Sequence, residues 1–160
     1  MNGTVFAADE ILVDVCFDVA RCRLGRLAAD GVLLGAAEYA YGAGITGLVE
    51  TVGAAARMSR LAGVRAEAVA ERPGGARLGL RWEAIGPNGV VYPALDAALT
   101  LSPAGEAATL LALAGAYRPP GQADAGLDPA ITRCFAAVTV RSFIARLACA
   151  LMHPAGIALR

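Results

Sequence analysis

Lysine is absent from this chain: all 14 basic residues are arginines. That excludes Schiff-base chemistry at a lysine and the phosphate-gripping lysine of a P-loop. Histidine occurs once, as His153. The cysteines, Cys16, Cys22, Cys134 and Cys149, show no Cys-x-x-Cys spacing. No zinc ligand set is visible in that pattern, and neither a metal nor a cofactor is expected. The cysteines read as buried, reduced, small apolar residues, which places the chain in the cytoplasm. Aromatic residues make up only 6%. Charge of either sign is balanced to zero and no basic run occurs, so nucleic acid is not an expected partner. No uncharged apolar run reaches the roughly 18 residues of a bilayer span. The opening MNGTVFAADE has no basic segment leading into a hydrophobic one, as a secretion signal requires.

What is present is alanine, arginine and a 57% apolar share, a composition that suits a high-GC bacterial genome. At 160 residues the chain is long enough for one domain with a real core. Residues 1–160 are read as that domain, with 153–160 as a flexible tail.

The organising stretch is Leu127–Met152, read as one long helix. Asp128 is a capping acceptor and Pro129 fits the first helical position. Neither Gly nor Pro follows until Pro154 ends the helix. At 100° per residue two apolar stripes appear. One carries Ile131, Phe135, Val138, Ser142, Ala145, Cys149 and Met152. The other carries Val140, Phe143, Ile144, Leu147 and Leu151. A helix apolar on two sides is covered on two sides. The first stripe is expected to face the sheet, where its small members either leave a cavity or pack tightly against larger neighbours.

Before it, Ile11–Val19 alternates as a half-buried strand. Asp18 then caps a helix over Ala20–Ala29, a second helix runs from Val32 to about Tyr41, and Ile45–Val52 reads as a short strand. Four strand-like runs follow: Val64–Glu71, Arg77–Ile85, Val91–Leu101 and Thr109–Arg118, separated by turn chemistry. Pairing the first two opposes Glu71 to Arg77, Glu67 to Arg81 and Arg65 to Glu83. Continuing the meander opposes Trp82 to Pro93, Leu80 to Leu95, Leu99 to Leu111 and Pro93 to Tyr117. One face of all four strands is then apolar. The opposite face is charged on the first two strands and alanine-rich on the last two, a surface that either takes a second copy or simply follows the alanine-rich composition. The order is α+β: a curved antiparallel β-sheet of about six strands gripping a long C-terminal α-helix, with two short helices after the first strand.

The segment RWEAIGPNGVVYPALDAALTLSPAGEAATLLALAGAYRPPG, continued by AGLDPAITRCFAAVTVRSFIARLACALM, resembles the helix-grip superfamily called SRPBCC or START-like. More narrowly it is similar to an uncharacterised bacterial group with this YRPP-then-GLD transition into the final helix. The resemblance implies a cavity for an apolar ligand between sheet and helix. Its members include lipid carriers, hormone binders and aromatic polyketide cyclases. It carries over no catalytic residue, and a shared fold is not an activity.

Leu80, Trp82, Leu95, Tyr117, Phe135, Val138 and Ser142 are therefore the expected ligand contacts. Trp82 and Tyr117 lead because they are large, amphipathic and on the inferred concave face; they equally suit a plugged core. Tyr39 and Tyr41 fit the cavity mouth or an ordinary surface. Arg81, Glu83 and Asp96 form an acid/base set on paper, but the register assigns them to the outer face as ion pairs. Arg118 anchors the loop entering the last helix, Arg133 and Arg141 suit an anionic headgroup or plain solvent, and His153 sits at a helix C-terminus. The function expected is binding of a small apolar molecule, carried or sequestered. A cyclase or dehydratase using the same cavity is the alternative, and a dimeric interaction protein with a collapsed cavity is a third.

Overall fold

The computed structural model describes residues 4–52, 59–86, 89–118 and 129–153. The expected cap Asp128 and the 154–160 tail lie outside the described residues. In order the elements are β1 (Val5–Val13), α1 (Phe17–Ala29), α2 (Val32–Val52), β2 (Arg60–Ala66), β3 (Ala70–Arg72), β4 (Gly75–Ile85), β5 (Val91–Pro103), β6 (Thr109–Tyr117) and α3 (Pro129–Met152). The fold is α+β with an open antiparallel sheet of six strands, ordered β1-β6-β5-β4-β2, with β3 also on β4. The three helices share one core with the inward face of that sheet.

The meander from β4 to β6 follows directly from alternation. Leu78, Leu80, Trp82, Leu95, Leu99, Leu111, Leu113 and Tyr117 are all buried, while Arg77, Arg81, Asp96, Ala114 and Ala116 between them are exposed. From Leu95 onward in β5 the expected faces hold but the pairing slides by two residues: Trp82 lies opposite Leu95, Leu80 opposite Ala97, and Leu95 opposite Tyr117. A two-residue slide preserves those faces because the side-chain period is two. Before Leu95 a register shift turns Pro93, expected inward opposite Trp82, to the exposed side and Ala94 inward.

The first hairpin differs more. Pro73-Gly74 makes a two-residue turn, with Gly74 at φ +82°, a conformation glycine adopts at little steric cost. Tightening the turn puts Ala70 opposite Arg77 and, after an irregularity, Arg65 opposite Arg81. The three expected charge pairs do not form; Glu71 meets Arg21 instead, at 3.5 Å. Turn geometry outweighed exposed ion pairs, each worth under about 1 kcal/mol.

Two expected strands are corrected. The first strand is Val5–Val13, and its partner is β6, with Val5 opposite Tyr117 and Val13 opposite Thr109. From Phe17 the chain is helical: Ala20, Leu24 and Leu27 are buried at helical spacing, and Asp18 sits in the first turn, where its charge favours the helix dipole. Ile45–Val52 is the second half of α2, not a strand. Gly44 does not end that helix. A Cβ there would meet Thr139 Oγ1 of α3, so the glycine permits close helix contact.

The C-terminal helix lies across β1 and against α2. It turns the second stripe inward: Val140, Phe143, Ile144, Leu147 and Leu151 are buried, as are Ala136, Thr132 and Thr139. The first stripe faces roughly the other way; Val138 is 45% exposed. Bulk decides this, because the second stripe removes more apolar area from water. Arg23 of α1 donates to the Leu151 carbonyl at 2.7 Å, and Arg141 of α3 reaches Asp9 of β1 at 3.5 Å. By length and composition alone, Ala130–Met152 is apolar enough to cross a bilayer; in this fold its bulky face lies in the core. The cysteines are not core residues: Cys22, Cys134 and Cys149 are exposed and Cys16 half-buried, all as free thiols. Cys22, Cys134 and Cys149 fall on the outward sides of α1 and α3, and Cys16 at the N-cap of α1.

Candidate functional site

Between α2 and the start of β2 lies a cleft of about 280 Å³, open to solvent, lined by Glu38, Tyr41, Gly42, Ser59, Arg60 and Leu61. Helical spacing brings the first three to one wall, since positions three and four apart share a face. The opposite wall is the entry to β2, where Ser59 is buried and Arg60 exposed.

A bulge in β5 builds the inner end of this site. Trp82 pairs with Leu95, yet Glu83 pairs with Pro93, leaving Ala94 as the extra residue. Its carbonyl accepts from the Arg118 backbone N–H at 2.8 Å. Such a bulge re-aims the side chains beyond it. Tyr92 consequently stands opposite Ala84, on the inward side, and its hydroxyl lies 2.7 Å from that of Tyr41. The Arg118 guanidinium rests 4.9 Å over the Tyr92 ring.

Behind that pair, Trp82 is clasped edge-to-face by Phe143 at 5.3 Å and Tyr117 at 6.3 Å. Trp82 Nε1, Tyr117 Oη and Ser59 Oγ are buried without a directed hydrogen bond. Thr139 and Ser59 lie near the phenols and ease their ionisation slightly, but neither makes a properly aimed bond to them; Thr139 Oγ1 donates to the Phe135 carbonyl at 3.0 Å. Burial pushes the phenols of Tyr41, Tyr92 and Tyr117 upward, and for Tyr41 the neighbouring Tyr92 adds to the effect. All three stay neutral donors or acceptors near pH 7. The site can offer hydroxyl hydrogen bonds; the phenols cannot act as bases there.

The structure brings Leu80, Trp82, Leu95 and Tyr117 together at the sheet surface. Of these, Trp82 makes an edge contact with Phe143 of α3, a residue of the second stripe. Phe135 and Ser142 are half-buried and Val138 exposed, on the side of α3 away from that packing. Tyr41 does line the cleft, whereas Tyr39 is 52% exposed with Arg146 stacked 3.9 Å over its ring. Arg81, Glu83 and Asp96 belong to the outer face, with Arg81 opposite Asp96. His153 and Arg133 are exposed. Among the described residues no three His, Cys, Asp or Glu side chains are grouped as metal ligands would be.

Sequence reasoning missed Ser59, Tyr92, Glu38, Gly42, Arg60 and Leu61. Glu38 and Gly42 were legible from helical spacing to Tyr41. Tyr92 was not, because a bulge changes its face without a local sequence mark.

No family model matches the chain, and no curated protein does. Among solved structures it is similar to the Zhui aromatase/cyclase from Streptomyces sp. R1128, at 13% identity and a TM-score of 0.43, covering 98% of this chain and 96% of that one. A likeness that weak carries no argument about activity. The class is set by the fold itself, an α+β sheet with its helices on one side.

Proposed function

We propose that this protein binds a small, mainly apolar molecule bearing one hydrogen-bonding oxygen, held in the cleft between α2 and β2. The observation that carries the reading is that cleft, about 280 Å³, ending at the part-buried Tyr41–Tyr92 hydroxyl pair with the buried Ser59 Oγ lacking a bonded partner beside it. Ligand cavities run from roughly 300 to 1,000 Å³, so a one- or two-ring compound fits better than a long lipid. Buried polar groups without partners are uncommon and call for an acceptor or donor nearby. Leu61 and the ring of Tyr41 supply apolar walls; Glu38 and Arg60 flank them.

The test uses 2-naphthol as probe, followed through quenching of the single tryptophan, Trp82, which lies beside the site. Saturable quenching is expected, with naphthalene binding at least ~10-fold more weakly for want of the hydroxyl. A Gly42→Leu variant should abolish the signal. Nothing lies within 4 Å of a Cβ at Gly42, so the new side chain fills the cleft without displacing the core. Replacing a helical glycine should also leave the melting temperature unchanged or higher. Probe binding that survives Gly42→Leu would place the ligand elsewhere.

A further inference from the structure

We infer that the outer face of the sheet is the contact surface of a two-fold homodimer, formed with the two-fold axis parallel to the strands between β5 and β6. The strand register defines three outward rows across the four strands. One row reads Glu10, Ala112, Thr100, Arg77; the next Ala8, Ala114, Ala98, Gly79; the third Phe6, Ala116, Asp96, Arg81. The middle row has no side chain larger than a methyl group, so two such faces can approach closely. Phe6 is 70% exposed and Leu12, on the same face of β1, 57%. Large apolar side chains left in water beside an alanine surface are a recurring mark of an interface.

Charge selects the occupant and the axis. Among the described residues the ion pairs are Arg21–Glu71 and Arg141–Asp9, leaving Glu10, Arg77 and Arg81 unpaired. Glu67 lies over Gly79, so the β4 end of the middle row carries its carboxyl and the smooth stretch is Ala8, Ala114 and Ala98. A two-fold axis along the strands carries β1 of one copy over β4 of the other and keeps each row on itself. Glu10 then meets Arg77 twice by symmetry, Phe6 lies over Arg81 as a cation–π pair, and Ala114 lies over Ala98. An axis across the strands exchanges the outer rows. It would set Arg77 over Arg81 and Glu10 over Phe6, a like-charge clash that costs specificity and affinity. Sheets packed face to face with nearly aligned strands are a common arrangement.

The footprint is modest. Four strands about 4.8 Å apart and rows about 6.6 Å apart cover on the order of 400 Å² of each copy, against about 800 Å² per partner in a standard interface. The dimer should therefore depend on concentration.

Sedimentation equilibrium of the full chain between roughly 1 and 500 µM tests this. The unaltered protein should dimerise within that range, more weakly at high salt. Glu10→Arg and Arg77→Glu should each weaken association at least ~10-fold, because each faces like charge with like. Mixed in equal amounts, these two variants should form a heterodimer. The introduced arginine of one copy then meets the introduced glutamate of the other, and the second contact keeps the unaltered Arg77 and Glu10. Circular dichroism confirms that each variant is folded, and Ala114→Glu, an exposed change in the smooth row, should also dissociate the dimer. A monomer throughout the range, a dimer indifferent to the single charge reversals, or a mixture that fails to associate would each overturn the inference. None of these outcomes bears on probe binding at Gly42, which reads the other side of the sheet.

Discussion

At the scale of single residues, the informative ones are tyrosines. Two positions with the same side chain play unequal parts: Tyr41 is 2% exposed, whereas Tyr92 is half-buried. Tyr92→Phe leaves the Tyr41 hydroxyl buried without its bond and should cost about 1–3 kcal/mol. Tyr41→Phe leaves unpaired the hydroxyl of the half-buried Tyr92 and should cost less, about 0.5–1.5 kcal/mol. Urea unfolding of both single variants and the double measures the asymmetry. Equal losses that simply add would show that the 2.7 Å contact contributes nothing specific. Trp82 and Tyr117 were legible as inward, large and clustered. Their partner Phe143 was not chosen, because two apolar stripes on one helix give no local clue to which is buried.

At the scale of elements, α2 and α3 approach closely at Gly44 and Thr139. Gly44→Ala puts a methyl group against Thr139 Oγ1, and overpacking of this kind costs typically about 1–3 kcal/mol. Adding Thr139→Ala removes the oxygen in the way, so the double variant should recover at least half of the lost stability in thermal melts. Losses that add would mean that the two helices are not in contact there. The faces of β4 and β6 were read correctly, and the long final helix as an element; the strand expected over Val64–Glu71 is instead β2 and β3, with Ala66 and Ala68 exposed. The second half of α2 was misread as a strand, since a short apolar run such as ITGLVETV suits either state and its period alone does not decide.

At the scale of the whole molecule, three phenols held high by burial tie the fold to pH. An ordinary tyrosine ionises near 10.0. Above that pH the unfolded chain releases protons that the folded chain retains, so stability is full below about pH 10 and falls as pH rises further. Urea midpoints at pH 8 and above pH 10 should show the drop. Tyrosinate absorbance from the buried phenols should appear together with loss of the far-ultraviolet dichroism. A folded chain that ionises those phenols freely would contradict the packing described.

Taken alone, the order of residues decided which side of β4, of β6 and of β5 from Leu95 onward faces inward, and that a long apolar helix closes the chain. Both depend on local periods of two and 3.6, which neighbours in sequence carry by themselves. Tertiary contact decided the strand register, the buried stripe of α3, the true extent of α2 and the place of the cleft. Those outcomes compare alternatives that are nearly equal locally. They are resolved only when β1 finds β6 and α2 finds α3, residues distant along the chain whose volumes must fill one space.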